Sequence, residues 1–287
     1  MHINFKYFIV SIGAIFLALG VGILIGTSMG SSVDIQEKNA AIVTDIDKQF
    51  KLLKEKDDKL SRENKNLLAK LDDVKDFVAD NEEILTQQKL LGKNIGIVSF
   101  NEKANLDDIK ASLTSSGASV DFDILVKDDV LDTSKLDKIN NKLGQKFIKK
   151  EEVISYIANS IKTATDISSL KNLEEAGLIK IGSYKENYEH INSIVLINGQ
   201  DSSGKSKFLN LIRPILEEIK ENKYIVATAF KGENIGLGDF HKIKISTIDN
   251  IDESVGRVTL VDLLSSSNII GNFGNNLDGY KLLPVGK

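Results

Sequence analysis

Between Lys6 and Asp34 the chain carries no charged residue, and Phe8 to Gly26 (FIVSIGAIFLALGVGILIG) is almost wholly apolar. A helix of about 19 residues rises roughly 28 Å, close to the roughly 30 Å hydrocarbon thickness of a bilayer. In lipid the backbone polar groups must be satisfied within the element itself, so the run predicts one membrane helix over residues 7–30. His2 and Lys6 precede it without an acid, while Asp34 and Glu37 follow it. The positive-inside rule then predicts a cytoplasmic tail over 1–6 and an extracytoplasmic remainder, in a single-pass protein of the cell membrane. The run is longer than the usual apolar core of a cleaved signal, which favours an uncleaved anchor. Within it Ala14, Ala18, Gly22 and Gly26 recur every four residues. Such a stripe of small residues lets two helix backbones approach closely, and it predicts a helix-packing seam.

A charge-dense segment follows over 34–91, without proline and with glycine only at its margins. Its apolar residues fall on a heptad. Val43, Phe50, Leu71, Val78 and Leu85 take the a positions, and Ile46, Leu53, Leu60, Leu67 and Val74 the d positions. A pattern sustained over this length predicts a coiled-coil stalk with Phe50, Leu53, Leu60, Leu67 and Leu71 in its seam. Asn64 falls at an a position, a placement that fixes register and favours two strands, so a parallel homodimer is expected. The alternative is one amphipathic helix folded back on the globular part. Gly92 is expected to end the rod as a helix C-cap.

Residues 92–287 alternate strand and helix signals. Strands are predicted at 95–100, 119–126, 191–198 and 224–230, with an edge strand at 178–182 and extended chain over 241–248. Helices are predicted at 106–116, 147–162, 208–221 and 253–266. The alternation indicates an α/β domain with a mostly parallel sheet flanked by helices, in Rossmann- or flavodoxin-like layering. About 195 residues can bury a full core without metal or disulfide, consistent with the absence of cysteine. A net charge of −4 without a basic cluster argues against nucleic acid as a partner.

Gly199-Gln-Asp-Ser-Ser-Gly204-Lys205-Ser206 satisfies the phosphate-loop pattern and lies between a predicted strand and a predicted helix. Against nucleotide binding stand the expected extracytoplasmic location, the several elements that precede the strand, and the helical setting of Asp262, the one candidate metal-binding acid. An ordinary solvated connection is the favoured reading. Metal chemistry finds little support. His2, His190 and His241 are scattered, Met1 and Met29 are the only methionines, and soft copper ligands are otherwise lacking. No nucleophile elbow or acid–base set can be assigned, so neither a cofactor nor a catalytic residue is expected.

Phe5-Lys6-Tyr7 and Phe16-Leu-Ala-Leu-Gly20-Val-Gly22 open the chain. Ser246-Thr247-Ile-Asp249-Asn250-Ile-Asp252, Gly256-Arg257, Gly271-Asn-Phe273-Gly274 and Leu282-Leu283-Pro284 close it. Together they resemble the mycobacterial copper-transport protein family (MctB-like) over nearly the whole length. The resemblance implies an envelope protein named for copper handling, without a transferable catalytic set. Related actinobacterial members pair with a pyrophosphokinase-like membrane protein in envelope assembly and division. The segment from Ser246 to Gly256 is implied to be a structural or partner-contact motif, with Asp249 and Asn250 capping the following helix. The function expected is therefore a non-enzymatic scaffold or partner-recruiting module spaced by a coiled coil. Copper transport or efflux is the alternative, and nucleotide binding at Gly199–Ser206 a second one.

Overall fold

The computed structural model describes residues 5–29, 32–163, 167–186, 191–198, 204–232 and 237–274. The chain divides into two compact units, Met1–Leu71 and Asp72–Lys287. In the first unit, helix α1 spans Phe5–Met29 and contains the apolar stretch Lys6–Ser28, the one described segment long and apolar enough to cross a membrane. Ala14, Ala18, Gly22 and Gly26 all lie within α1, and their four-residue spacing puts them close to one face. Helix α2, Ser32–Asp80, is continuous over 49 residues, about 70 Å. Its seam residues Phe50, Leu53, Leu60 and Leu67 are each about two-thirds exposed in the single chain. Asn64 is also exposed, and Leu71 half-buried.

The long helix does not run to Gly92. It ends at Asp80, and a short helix α3, Glu82–Thr86, follows. The Asn81 amide donates to the Phe77 carbonyl at 2.8 Å, and asparagine competes in this way with regular helix geometry. Gly92, at φ +75°, belongs to the turn that leads into the first strand. The heptad reading also fails at its lower end. Val78, 4 % exposed, packs on Val255 and Val258 with Leu85 against the same cluster, all inside the second unit.

The α/β unit is built on one seven-stranded sheet. In chain order come β1 (Asn94–Ser99), α4 (Asp107–Ser115), β2 (Ser119–Val126), α5 (Leu136–Leu143), α6 (Lys150–Thr163), α7 (Ser168–Glu175) and β3 (Ile179–Tyr184). Next are β4 (Ser193–Ile197), a short α8 (Gly204–Lys207) that passes through a π-turn into α9 (Arg213–Ile219), β5 (Tyr224–Thr228) and α10 (Leu237–Lys242). The last elements are β6 (Ser246–Ile248), α11 (Ser254–Ser266) and β7 (Asn272–Phe273). The spatial order is β3-β2-β1-β4-β5-β6-β7, parallel except for the antiparallel edge strand β3. Order reverses between β1 and β4, as in doubly wound α/β folds.

Strand β4 (SIVLI) is buried at every position, as a central strand covered on both faces must be. On one face α6 and α9 interlock through Ile154, Ile157, Ile161, Ile212, Ile215 and Ile219. On the other, α4 and α11 meet Ile95, Ile97, Val195, Val226 and Ile248. Helix α10 lies on the α9 face and α11 on the opposite one, although strand order continues in one direction through β5, β6 and β7. The last crossover therefore has the hand opposite to the two before it, and the chain must change faces directly after β6.

The expected extended run over 241–248 shrinks to Ser246–Ile248, because Leu237–Lys242 winds into α10 around the buried Phe240. Helices α5 and α7 and strand β7, eight, eight and two residues long, are not among the predicted elements.

Candidate functional site

The change of face after β6 is made by Asp249-Asn250-Ile251-Asp252, the segment singled out in the sequence. Ser246 and Thr247 begin it inside the sheet. The Ser246 hydroxyl donates to the Ile269 carbonyl at 2.6 Å, and Thr247 donates to Asn272 Oδ1 at 2.7 Å. Asp249 is 1 % exposed and sits against the Gly274 backbone, where a Cβ would lie 1.6 Å from its Oδ1. Gly274 has φ +126°, a conformation that glycine alone adopts freely. Asn250 places its carbonyl where a Cβ on Gly256 would lie 2.0 Å from the oxygen, so only glycine admits the first turn of α11 to this position.

The N-cap position of α11 falls neither on Asp249 nor on Asn250. Glu253 occupies the N-cap position of α11 and makes no side-chain cap bond. Its carboxylate is instead engaged by Lys75 of α2 at 3.1 Å and by Lys231 at 2.5 Å, with the Asn250 amide at 3.2 Å. Asp252 Oδ1 accepts from the Lys231 backbone N–H at 2.7 Å. One helix turn on, Arg257 forks onto Glu82 of α3, Nε to Oε1 and Nη2 to Oε2, both at 2.8 Å. Its remaining donors reach the Asp252 carbonyl at 2.8 Å and the Ser254 hydroxyl at 2.9 Å. Farther along the same face Asp262 pairs with Lys89 at 2.5 Å. Val255, Val258 and Asp262 are spaced i, i+3, i+7, and Val78, Glu82, Leu85 and Lys89 answer them on α2, α3 and the turn beyond. The arrangement is a clamp that fastens the end of α2 and all of α3 to α11.

Electrostatics follow the geometry. Burial opposes ionisation of Glu253, but hydrogen bonds from Lys231, Asn250 and Lys75 outweigh it and hold the carboxyl at about 2. Burial likewise opposes ionisation of Glu82, and Arg257 overcomes it, so this carboxyl also lies below its ordinary value. The Glu82 bond in turn raises Arg257. All three groups are charged throughout the physiological range. None of the three is poised for proton transfer, and Glu253 and Glu82 are engaged in holding structure.

The phosphate-loop-like segment enters at the reversal point of the sheet, after β4. Gly199 and residues 200–203 lie outside the described residues. Gly204, Lys205 and Ser206 form the first turn of α8, and Ser206 is exposed. The next residue, Lys207, is buried and donates to the Phe100 carbonyl at the end of β1 at 2.9 Å, while pairing with Asp128 at 2.6 Å. Asp262, the acid once considered as a metal-binding partner for this loop, lies on α11 at the clamp.

Asp123 is buried but paired with Lys110 and hydrogen-bonded by Ser183. Among the described residues no group of three His, Cys, Asp or Glu side chains could hold a metal ion. His2 and His190 lie outside the described residues, and the chain has no cysteine and only Met1 and Met29.

A family model described as "Copper transport outer membrane protein, MctB" matches residues 2–278. The chain belongs to the MctB family. No curated protein matches it. The family match covers α1, α2 and the α/β unit together, so the apolar helix is part of the family's architecture and not an appendage to it. Within this MctB-family chain, sequence reasoning found the Ser246–Gly256 segment but missed its partners Lys75, Glu82 and Lys231. Matching the 78-82-85-89 spacing to 255-258-262 was the available signal. The pairing itself, across about 175 residues of chain, is written only in the fold.

Gly256→Ala is expected to destabilise the chain by on the order of 3 kcal/mol in denaturant unfolding, since its methyl meets backbone and cannot be relieved by a rotamer change. Glu253 has a folded value of about 2 against an ordinary 4.5, so its contribution is complete above about pH 4.5 and declines as pH falls toward 2. The melting temperature of wild type should therefore fall more steeply than that of Glu253→Gln between those limits. Parallel curves would contradict this.

Proposed function

We propose that this MctB-family chain is a non-enzymatic, membrane-anchored envelope protein. In this reading α1 crosses the cell membrane with its N-terminus in the cytoplasm, and α2 is a spacer between membrane and domain. The extracytoplasmic α/β domain recruits a protein partner of the envelope, of which a pyrophosphokinase-like membrane protein is the one that the family resemblance implies. Two copies pair in parallel through the Phe50–Leu71 seam of α2 and the small-residue face of α1.

The observation that supports this reading is the clamp. The most specific segment of the sequence leads directly into a joint that fastens a helix to a domain, with Glu253 and Arg257 ion-paired across it. The exposed apolar stripe on α2 supports pairing, because about two-thirds of each seam side chain is open to solvent in a single chain. A second reading, direct carriage of copper, is favoured by the description of the family.

The absence of native cysteine makes one experiment decisive for the first reading. Leu60→Cys and Leu67→Cys at d positions should form disulfide-linked dimers when membranes are oxidised, and Arg62→Cys at an f position should not. The cross-linked species, purified in detergent, should retain an envelope protein identifiable by mass spectrometry. Equal cross-linking at all three positions, or at none, would contradict the paired stalk. Sub-micromolar copper binding to the purified chain by calorimetry would favour the second reading.

A further inference from the structure

At the edge of the sheet opposite the clamp, where β5 and β6 begin and α11 ends, lies a cavity of about 330 Å³. Its wall is apolar, built by Ile225, Ile245 and the half-exposed Ile270. Its charged lining is dominated by three lysines, Lys220, Lys223 and Lys244. The lone acid there, Glu221, is paired with Lys162 at 3.3 Å and so brings a further cation with it. Lys223 is the unusual member, being only 9 % exposed. Its ammonium donates to the Ile191 carbonyl at 3.0 Å, and among the described residues no carboxylate pairs with it. Burial alone pulls its pKa down. Buried ammonium groups are ordinarily paired, and among the described residues Lys223 has a carbonyl but no carboxylate to stabilise its charge.

The backbone supplies an independent observation. The described residues include three non-glycine positions of positive φ, and two of them border this cavity: Lys244 at φ +61° and Ser267 at φ +53°. Each directly follows or closely follows a helix end, Lys242 for α10 and Ser266 for α11. Helix ends of this kind usually take glycine, which adopts the left-handed conformation without strain. Here the strained residues each put a side chain beside the cavity, a lysine and a hydroxyl, where glycine would put none. Strain retained in this way marks ligand sites more often than plain connections.

We propose that this cavity binds an anionic amphiphile, a phosphate group attached to a short apolar chain, with Lys223 and Lys244 meeting the anion and Ile225, Ile245 and Ile270 the apolar part. The volume lies at the lower end of the range for small-molecule sites. The lysines complement the anion, the isoleucines exclude a purely hydrophilic ligand, and the clamp is not involved. The proposal stands independently of the scaffold reading. The same chemistry could come from a free alkyl phosphate or from the headgroup region of an anionic lipid.

The test uses the full chain in phosphatidylcholine nanodiscs, titrated calorimetrically with hexyl phosphate, with inorganic phosphate, and with vesicles of phosphatidylcholine containing phosphatidylglycerol. Hexyl phosphate should bind, and Lys223→Met should weaken it about tenfold or more while preserving the fold, since methionine keeps the apolar stem. Lys244→Gly should also weaken binding while raising the melting temperature, a combination that a merely structural lysine would not give. Vesicle binding lost in both variants would identify the source as lipid. Hexyl phosphate binding without vesicle binding would identify a free amphiphile. No heat with hexyl phosphate at about 1 mM, unchanged binding by both variants, or equally tight inorganic phosphate would overturn the proposal.

Discussion

The forked ion pair between Arg257 and Glu82 is the contact on which the second unit's construction turns. It joins residues 175 positions apart and works where α2, α3 and α11 converge. Isolated surface pairs contribute little, but this one is largely shielded, bidentate and backed by the Val78, Val255 and Val258 contact. Removing Arg257 would leave a half-buried carboxylate without its partner, at a cost of about 1–3 kcal/mol. The neighbouring Glu253, held by two lysines from different elements, makes the joint a network rather than a single bond. Around it the chain must change faces of the sheet, which explains why glycine is required at 256 and why Asp249 is buried against Gly274.

Much of this was legible in the sequence. The uncharged apolar run named α1, and the strands with the strongest β-branched content, β1, β2, β4 and β5, fall close to their predicted spans because a strand covered on both faces is apolar throughout. The edge strand expected at 178–182 appears as β3, Ile179–Tyr184, at one edge of the sheet. What escaped was of two kinds. Short elements such as α5, α7 and β7 escaped, although Leu136, Ile139 and Leu143 of α5 stand at the helical spacing i, i+3, i+7. Long-range pairings escaped because a heptad reads the same whether its partner is a second chain or the chain's own domain. Val78 and Leu85 extend the stalk pattern in register, yet they pack on α11. Asn81, which interrupts the d series, was the one local sign that the helix would break there.

The two ends of the sheet carry different chemistry. At the carboxyl ends of the strands, Lys207, Asp128 and the Phe100 carbonyl are already joined to one another, and the buried Asp123 is neutralised by Lys110. At the amino ends, Lys220, Lys223 and Lys244 form no ion pair among the described residues. A chain whose family is described by copper transport thus offers cationic chemistry around this cavity, while it has no cysteine and, of its two methionines, only Met29 among the described residues.

Hydrogen exchange with mass spectrometry on the segment 72–86 measures the clamp directly. In wild type these amides should exchange slowly and together with α11, and Arg257→Ala should release them to fast exchange while β1 and β4 stay protected. Unchanged slow exchange of 72–86 in Arg257→Ala would contradict the account, because the helix end would then be held by something other than the joint described.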